Sequence, residues 1–333
     1  MRIVVVGGAG YIGSVVSRRL LAAGHDLVVA DNLATGHREA VPPGVPLVEV
    51  DVRDRATLAE KVLPGADAVM HFAARSLVGE SEQRPELYWD NNVGGTRSLL
   101  DAMRDAGVRC LVFSSTASTY GEPQSIPVDE EQRVKPTSAY GSSKLAADMM
   151  IGDEARAHGL RAVSLRYFNV AGALEDAGER HHPETHLIPN VLRVAAGKAP
   201  FLTVFGDDYP TADGTCIRDY LHVNDLASAH LLALDSMGPG AIDGRGGHRI
   251  YNLGNGAGFS VLEIVAAARR VTGAAIPVQV VRRRPGDPAV LVASSRRIQD
   301  ELGWIPKHPG LEEIIGDAWT FTRSRPLAED ITG

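Results

Sequence analysis

The sequence predicts an α/β fold: a Rossmann-type doubly wound parallel sheet with a smaller mixed α/β lobe attached. Three observations carry this. Short apolar runs bounded by turn residues alternate with longer amphipathic stretches through the first half, as in a parallel sheet covered on both faces by helices. A glycine-rich turn, Gly7-Gly8-Ala9-Gly10-Tyr11-Ile12-Gly13, joins the first apolar run to the first amphipathic stretch. The chain has 333 residues, more than one hydrophobic core usually serves, so two domains are expected. We set them at 1–170 and mainly 171–325, with some segments of the second returning to the first.

In chain order, Ile3–Val6 reads as a buried parallel strand and Ile12–Ala23 as a helix ended by Gly24. Asp26–Ala30 is the second strand, and Leu47–Val50, Ala68–Phe72, Cys110–Ser114 and Ala162–Arg166 are further apolar runs of strand length. Arg55–Leu63, Leu87–Asp105 and Ala139–Ala157 carry helical periodicity. Beyond Ala171 glycine and proline are more frequent, and Leu187–Gly197, Asn224–Met237 and Val261–Thr272 read as helices. The polar stretch Leu174–Pro183 reads as a mobile loop.

The 44% hydrophobic and 23% charged fractions are those of an ordinary globular chain. A net charge of −7 excludes a broad nucleic-acid-binding surface. Cys110 and Cys216 are too few for a disulfide framework, so a reducing compartment fits. The run Met1–Val6 is too short for a secretion signal. No stretch reaches the ~20 apolar residues of a membrane span, so a cytoplasmic protein with no membrane partner is expected.

The glycines at positions 7, 10 and 13 have separable uses. The first permits the tight turn, the second lets backbone approach a pyrophosphate, and the third allows close helix–strand packing, with the helix N-terminus facing the anion. The strand–turn–helix setting makes this a dinucleotide site rather than a loop that merely tolerates glycine. Asp31 closes the second strand. A carboxylate there accepts hydrogen bonds from ribose hydroxyls and repels a 2′-phosphate, which selects NAD over NADP; a cap or turn residue is the plainer alternative. Asp51 and Val52 follow the third strand, where they could hold the adenine edge.

Tyr140 and Lys144 lie one helical turn apart on one face. A nearby ammonium favours phenolate, so the Tyr140 pKa is expected to fall from its ordinary value near ~10. Ser114-Ser115-Thr116 ends a strand on the side where ligands gather in open α/β sheets. Taken singly, the Tyr/Lys spacing is equally that of any amphipathic helix, and a Ser/Thr cluster after a strand is usually a cap. Together with the glycine loop they make a unit for hydride transfer between a secondary alcohol and nicotinamide.

The Gly7–Gly13 loop with Thr116, Tyr140 and Lys144 resembles the extended short-chain dehydrogenase/reductase family. The likeness narrows to its UDP-hexose 4-epimerase members through Asp31-Asn32-Leu33, His71-Phe72-Ala73-Ala74, Val78-Gly79-Glu80-Ser81, Asp90-Asn91-Asn92-Val93 and Arg166-Tyr167-Phe168-Asn169. It continues through Phe205–Thr211, Arg218–Val223, Tyr251–Gly254 and Arg283–Asp287, covering nearly the whole chain. The resemblance implies NAD contacts at Gly7, Gly10, Tyr11, Ile12, Gly13, Asp31, Asn32, Leu33, Asp51, Val52, Phe72, Ala73, Ala74, Asn91, Tyr140, Lys144 and Phe168. It implies sugar-nucleotide contacts at Thr116, Tyr140, Asn169, His186, Leu187, Thr203, Phe205, Arg218, Arg284, Asp287 and Leu291. Tyr140 would remove the 4-hydroxyl proton while NAD takes hydride from C4; the 4-keto sugar would turn over and be re-reduced on its other face. Lys144 would bind the nicotinamide ribose and lower the Tyr140 pKa, and NAD would stay bound through turnover. A homodimer built on helices near Leu87–Asp105 and Ala139–Ala157 is also implied.

Three departures from the family pattern matter. Arg75 and Ser76 stand near a position where the family commonly carries a cofactor-contacting lysine. His186 replaces an asparagine. Leu291 stands near the position where a tyrosine can restrict the pocket to glucose and galactose, so N-acetylated and pentose UDP-sugars stay open. Ala117-Ser118 occupy the place of the Asp-Glu pair that a sugar-nucleotide 4,6-dehydratase needs. A UDP-sugar decarboxylase is harder to exclude, and a non-catalytic NAD-binding protein on the same fold is disfavoured by the intact Thr/Tyr/Lys set. His181, His182, Glu184 and His186 match no standard metal spacing, and the implied chemistry needs no metal, so none is expected. Without the resemblance, Arg282-Arg283-Arg284 reads as a solvated basic face and Cys216 as packing.

Overall fold

Alternate residues of the first strand, β1 (Arg2–Val6), go to opposite faces: Ile3 and Val5 join one apolar cluster, Val4 and Val6 another. A strand buried on both sides needs helices on both sides. α1 (Tyr11–Ala22) supplies Val15, Val16 and Leu20 to the first cluster. The helices Gly95–Asp105 and Ala139–His158 supply Leu99, Met103, Ala147 and Ile151 to the second. The computed structural model describes residues 1–238, 247–284 and 287–324. The expected second-domain boundary at Arg325, and Pro285-Gly286 within the Arg283–Asp287 run, lie outside the described residues.

Five more strands follow in chain order: β2 (Asp26–Asp31), β3 (Leu47–Glu49), β4 (Ala68–His71), β5 (Cys110–Thr116) and β6 (Arg161–Tyr167). With the strand Gly247–Leu253 they form one seven-stranded sheet in the order Gly247–Leu253, β6, β5, β4, β1, β2, β3. Every pairing in it is parallel. The chain runs from β1 outward to β3, then crosses back to β4 on the other side of β1. The connections after β1 and β4 therefore diverge, leaving a crevice at the carboxyl ends of the strands. Val6 pairs with both Ala30 and His71, which brings Gly7, Asp31 and Phe72 to that one edge.

The second lobe has its own core of Ile188, Leu192, Val204, Tyr220, Ile264 and Ile314. Its strand Leu202–Phe205 pairs with Val278–Val281. Ile217–His222 pairs with Asn169–Ala171, Gly258–Ser260 and Val290–Leu291. Helix Val261–Thr272 starts in a capping box, Ser260 with Glu263, and stops at Gly273 with φ 70°, a cap of about 1 kcal/mol. Helix Val223–Asp235 turns away from this lobe and packs Leu226, Ala229 and Ala233 into the first cluster beside α1. Among the described residues no helix is long and apolar enough to cross a membrane.

The structure departs from the sequence reading in several places. Gly247–Leu253 pairs along its full length with β6, yet only Tyr251, Asn252 and Leu253 are buried, so no apolar run marks it. The single helix expected over Leu87–Asp105 is three pieces: Pro85–Tyr88, a π-turn Trp89–Gly94, and Gly95–Asp105. The wider turn brings the polar Asn92 inside, at 2% exposure, a placement helical periodicity cannot signal. Arg55–Leu63 likewise passes into a π-turn at Leu58–Val62. The expected mobile loop Leu174–Pro183 contains a hairpin of Ala173–Leu174 and Ala177–Gly178. It is packed so closely that a Cβ on Gly178 would lie 2.4 Å from the Phe321 ring.

Candidate active site

The glycine loop is built by two different constraints. A Cβ on Gly7, at φ +83°, would sit 2.4 Å from the Ala73 nitrogen, and one on Gly13 would sit 2.3 Å from the Gly7 carbonyl oxygen. The protein itself demands glycine at both. At Gly10 the nearest atom to such a Cβ is the Gly7 oxygen at 3.4 Å, so the fold would accept a side chain there. The space this glycine keeps open lies at the N-cap of α1, whose first turn has neither a side-chain cap nor an acidic residue. Unpartnered N–H groups with no acidic residue in the same helical turn suit a pyrophosphate. These observations fit a dinucleotide.

Asp31 is anchored to this loop. One carboxylate oxygen accepts from Ala9 N at 2.9 Å and the other from Leu33 N at 2.8 Å; Leu33 itself adopts φ 56°. Burial pushes the Asp31 carboxyl up, opposed by those two N–H bonds. Each oxygen keeps lone-pair capacity for a ribose hydroxyl. Asn32 donates to Asp51 at 3.1 Å, and Arg53 grips the same carboxylate at 2.7 Å, holding Asp51 well below the usual carboxylate range. Val52 is buried against Gly95, where a Cβ would come within 2.5 Å. Ala73 N bonds to the Val6 carbonyl at 3.1 Å, Phe168 N to the Leu253 carbonyl at 3.2 Å, and Phe72 stacks 5.0 Å from His230. Tyr11 donates to the Gly172 carbonyl at 2.7 Å, tying the loop to the chain entering the second lobe. Ile12 packs on the first cluster.

Tyr140 and Lys144 lie on helix Ala139–His158, which Ser138 caps by accepting from Gly141 N at 3.1 Å. Gly141 lets this helix touch the turn after β5: a Cβ there would lie 2.5 Å from the Ser118 carbonyl oxygen. That contact brings Thr116, at the end of β5, near enough to Tyr140 for its side chain to draw the phenol pKa down, while the Thr116 hydroxyl donates to Ser118 Oγ at 3.3 Å. Lys144 is 3% exposed, donates to the Ser114 carbonyl at 2.8 Å and lies 4.6 Å over the Phe113 ring. Burial lowers its pKa to about 8, with Asp148 opposing. The expected fall of the Tyr140 pKa does not occur in the protein alone. Burial raises it, opposed by the Thr116 side chain, while one of the three Lys144 N–H donors goes to the Ser114 carbonyl. Arg75, near the family's lysine position, binds Glu80 at 3.2 Å.

On the other side of the crevice, Asn169 donates to the Asp219 carbonyl at 3.1 Å, and His186 and Leu187 open the helix Leu187–Ala195. Thr203 and Phe205 lie on Leu202–Phe205, and the Arg284 guanidinium stacks 3.9 Å from the Phe205 centroid. Arg218 and Asp287 form an ion pair with each other. Leu291 is paired in register with Arg218, so its backbone is fixed beside that residue's. Arg282, Arg283 and Arg284 are all exposed, as a solvated basic face requires, and within that face Arg284 stacks on Phe205 and Arg283 binds Asp208 at 2.8 Å while stacking on Tyr209.

Sequence reasoning missed the support behind the pair. Asn92 donates to Ser143 Oγ and to the Arg75 carbonyl, each at 3.0 Å, and accepts from Arg75 N at 2.8 Å; Asn91 donates to Asn92 at 3.0 Å. Asp148, one turn beyond Lys144, accepts from Ser115 and Arg166 at 3.0 Å, in a pair only 2% and 5% exposed. Arg166 extends the network to Tyr120, and Tyr120 to Asn252. The signal available was the helical repeat Tyr140, Lys144, Asp148, which puts a carboxylate on the face that carries the other two.

The family model described as "NAD dependent epimerase/dehydratase family" matches residues 3–254. A Streptomyces lividans protein named UDP-glucose 4-epimerase is 54% identical over 332 residues, covering 99% of this chain and 98% of that one. One of the same name from Corynebacterium glutamicum is 53% identical over 324 residues, covering 97% and 96%. The crystal structure of UDP-glucose 4-epimerase from Brucella ovis in complex with NAD superposes with TM-score 0.91 at 46% identity, covering 96% of this chain and 98% of that one. The chain belongs to the NAD-dependent epimerase/dehydratase family.

Proposed function

We propose that this protein inverts C4 of a UDP-hexose, interconverting UDP-glucose and UDP-galactose with NAD as a tightly held cofactor. The observation that carries this is the placement of Thr116 next to Tyr140, on the helix that also carries the buried Lys144, at the sheet edge that also holds the glycine loop. Bound NAD supplies a hydride acceptor at C4 and returns the same hydride. Tyr140 removes the 4-hydroxyl proton and gives it back, with Thr116 sharing the bond. Lys144 places a positive charge beneath both and holds the nicotinamide ribose. Asp287 steadies Arg218, and Phe205 steadies Arg284, so that both guanidinium groups meet the diphosphate with little rotamer freedom left to lose. Ala117-Ser118 give no acid–base pair for elimination. Incubation of the purified protein with UDP-galactose should yield UDP-glucose. No product, or release of a 4-keto-6-deoxy sugar, would overturn the reading.

Residues 1–170 serve NAD and 171–325 mainly the UDP-sugar, with Val223–Asp235 and Gly247–Leu253 lending support to the NAD side. Trp89 and Met149, exposed by 46% and 64%, favour a homodimer through the segments that carry them; sedimentation at a monomer's mass would contradict it. The two cysteines are unpaired, in keeping with the cytoplasm.

Lys144 must be cationic, and burial sets its pKa at about 8. Activity is therefore present below that pH and falls as pH rises through it, so kcat/KM for UDP-galactose should show an alkaline limb near pH 8. A flat profile to pH 10 would remove Lys144 from this role. Leu291 beside Arg218 sets pocket width, so Leu291→Tyr should lower kcat/KM for UDP-N-acetylgalactosamine about tenfold more than for UDP-galactose. Equal loss on both substrates would reject the gate.

A further inference from the structure

Between the Ala173–Gly178 hairpin and the helix Leu187–Ala195, one short segment gathers four side chains of metal-ligand type. Glu179, His181, Glu184 and His186 each offer one atom, and these atoms lie within 4.8 Å of one another. Glu179 Oε1 is 2.9 Å from His181 Nδ1 and 2.7 Å from His186 Nδ1, and Glu184 Oε1 is 3.0 Å from the same His186 nitrogen. The two imidazole rings are 5.2 Å apart. Both glutamate side chains are 8% exposed. Two buried carboxylates this close require positive charge between them.

His186 Nδ1 is the nitrogen that faces both of them, 2.7 Å from Glu179 and 3.0 Å from Glu184. One N–H cannot point at two carboxylates at once, and the His181 nitrogen faces Glu179 as well. We propose that Glu179, His181, Glu184 and His186 form a four-ligand site for a divalent transition metal of the zinc class. Two imidazoles and two carboxylates match zinc's tetrahedral nitrogen and oxygen preference, with bonds of about 2.0–2.2 Å; the hydrogen-bonded pairs at 2.7–3.0 Å open to about 3.3 Å and the wider pairs close. Magnesium and calcium prefer oxygen-only shells and are disfavoured by the two nitrogens. Four protein ligands leave no open position, so the metal is structural.

Its placement gives it work to do. Gly178, Arg180 and His181 wall the cleft opposite Ala9, Gly10 and Tyr11. The Tyr11 phenol, raised chiefly by burial, is raised further by the charges of Glu179 and Glu184. Two negative charges beside a pyrophosphate loop repel its ligand, and a dication cancels them. Coordination through Nδ1 also leaves the proton of His186 on Nε2, available to a diphosphate; that last consequence alone rests on the proposed UDP-sugar reading.

The test is titration of the chelator-dialysed full-length protein with cobalt(II), then zinc(II). The expected result is one equivalent of cobalt with intense visible bands of four-coordinate geometry, displaced by zinc, and a raised thermal midpoint. His181→Ala, at a side chain 28% exposed, and Glu179→Gln should each weaken zinc binding at least tenfold. His181→Ala on the rim carries the test should Glu179→Gln fail to fold. No saturable one-to-one binding, unchanged affinity in folded variants, or equal affinity for magnesium would overturn the proposal. None of these readouts depends on epimerase activity.

Discussion

Tyr140→Phe should lose turnover of UDP-galactose by about 10²–10⁴-fold, the range for removing a general acid–base group, while still retaining NAD and binding UDP-sugar. The change deletes one oxygen and leaves the helix as it is. Ser138 still caps the first turn, Gly141 still meets the Ser118 carbonyl, and the ring keeps its edge contact with Tyr88, whose centroid is 6.3 Å away. No neighbour can replace the phenol. The Thr116 hydroxyl is a poor base at neutral pH, and the Lys144 ammonium, which donates to the Ser114 carbonyl, has no lone pair with which to take a proton. Steady-state kinetics with NAD content measured on the denatured protein separate the two effects. Near-normal turnover would take Tyr140 out of proton transfer, and lost NAD would mean the residue mainly supports the cofactor.

Gly13→Ala should be nearly as damaging by a different route. Its Cβ would meet the Gly7 carbonyl oxygen at 2.3 Å and Gly8 Cα at 2.8 Å. Both are backbone atoms, so no rotamer change relieves the clash; either α1 moves away from β1 or the turn opens. Overpacking of this kind costs about 1–3 kcal/mol, and the displaced turn should no longer hold NAD. Gly10→Ala is the informative contrast, because its Cβ has room within the protein. That variant should unfold at the parent's denaturant midpoint yet copurify with far less NAD. Full NAD occupancy in Gly10→Ala would mean that the pyrophosphate does not cross this residue.

Legibility in the sequence followed burial. Strands sandwiched between two helical layers, such as β1 and β5, are continuous apolar runs and could be placed to within a residue or two. Gly247–Leu253 could not, because as the edge of the sheet it is half polar. The π-turn at Trp89–Gly94 escaped because its purpose is to turn a polar residue, Asn92, inward against the helical period. In the site, residue types and spacing identified the glycine loop, Asp31, Thr116, Tyr140 and Lys144 as one group. What they left out is which partner each charge meets. Lys144 donates to a backbone carbonyl rather than lowering the Tyr140 pKa, Arg218 is matched by Asp287, and Glu179 lies against His181 and His186. Those pairings depend on side-chain direction and burial, which a linear pattern does not carry.

The central claim is that one hydride leaves and returns to the same carbon without reaching solvent. UDP-galactose deuterated at C4, incubated with the protein and no added NAD, tests it most directly. The proposed mechanism predicts UDP-glucose with the deuterium still at C4 and no NADH in the medium. Loss of the label to water, its appearance in released NADH, or no conversion at all would contradict it.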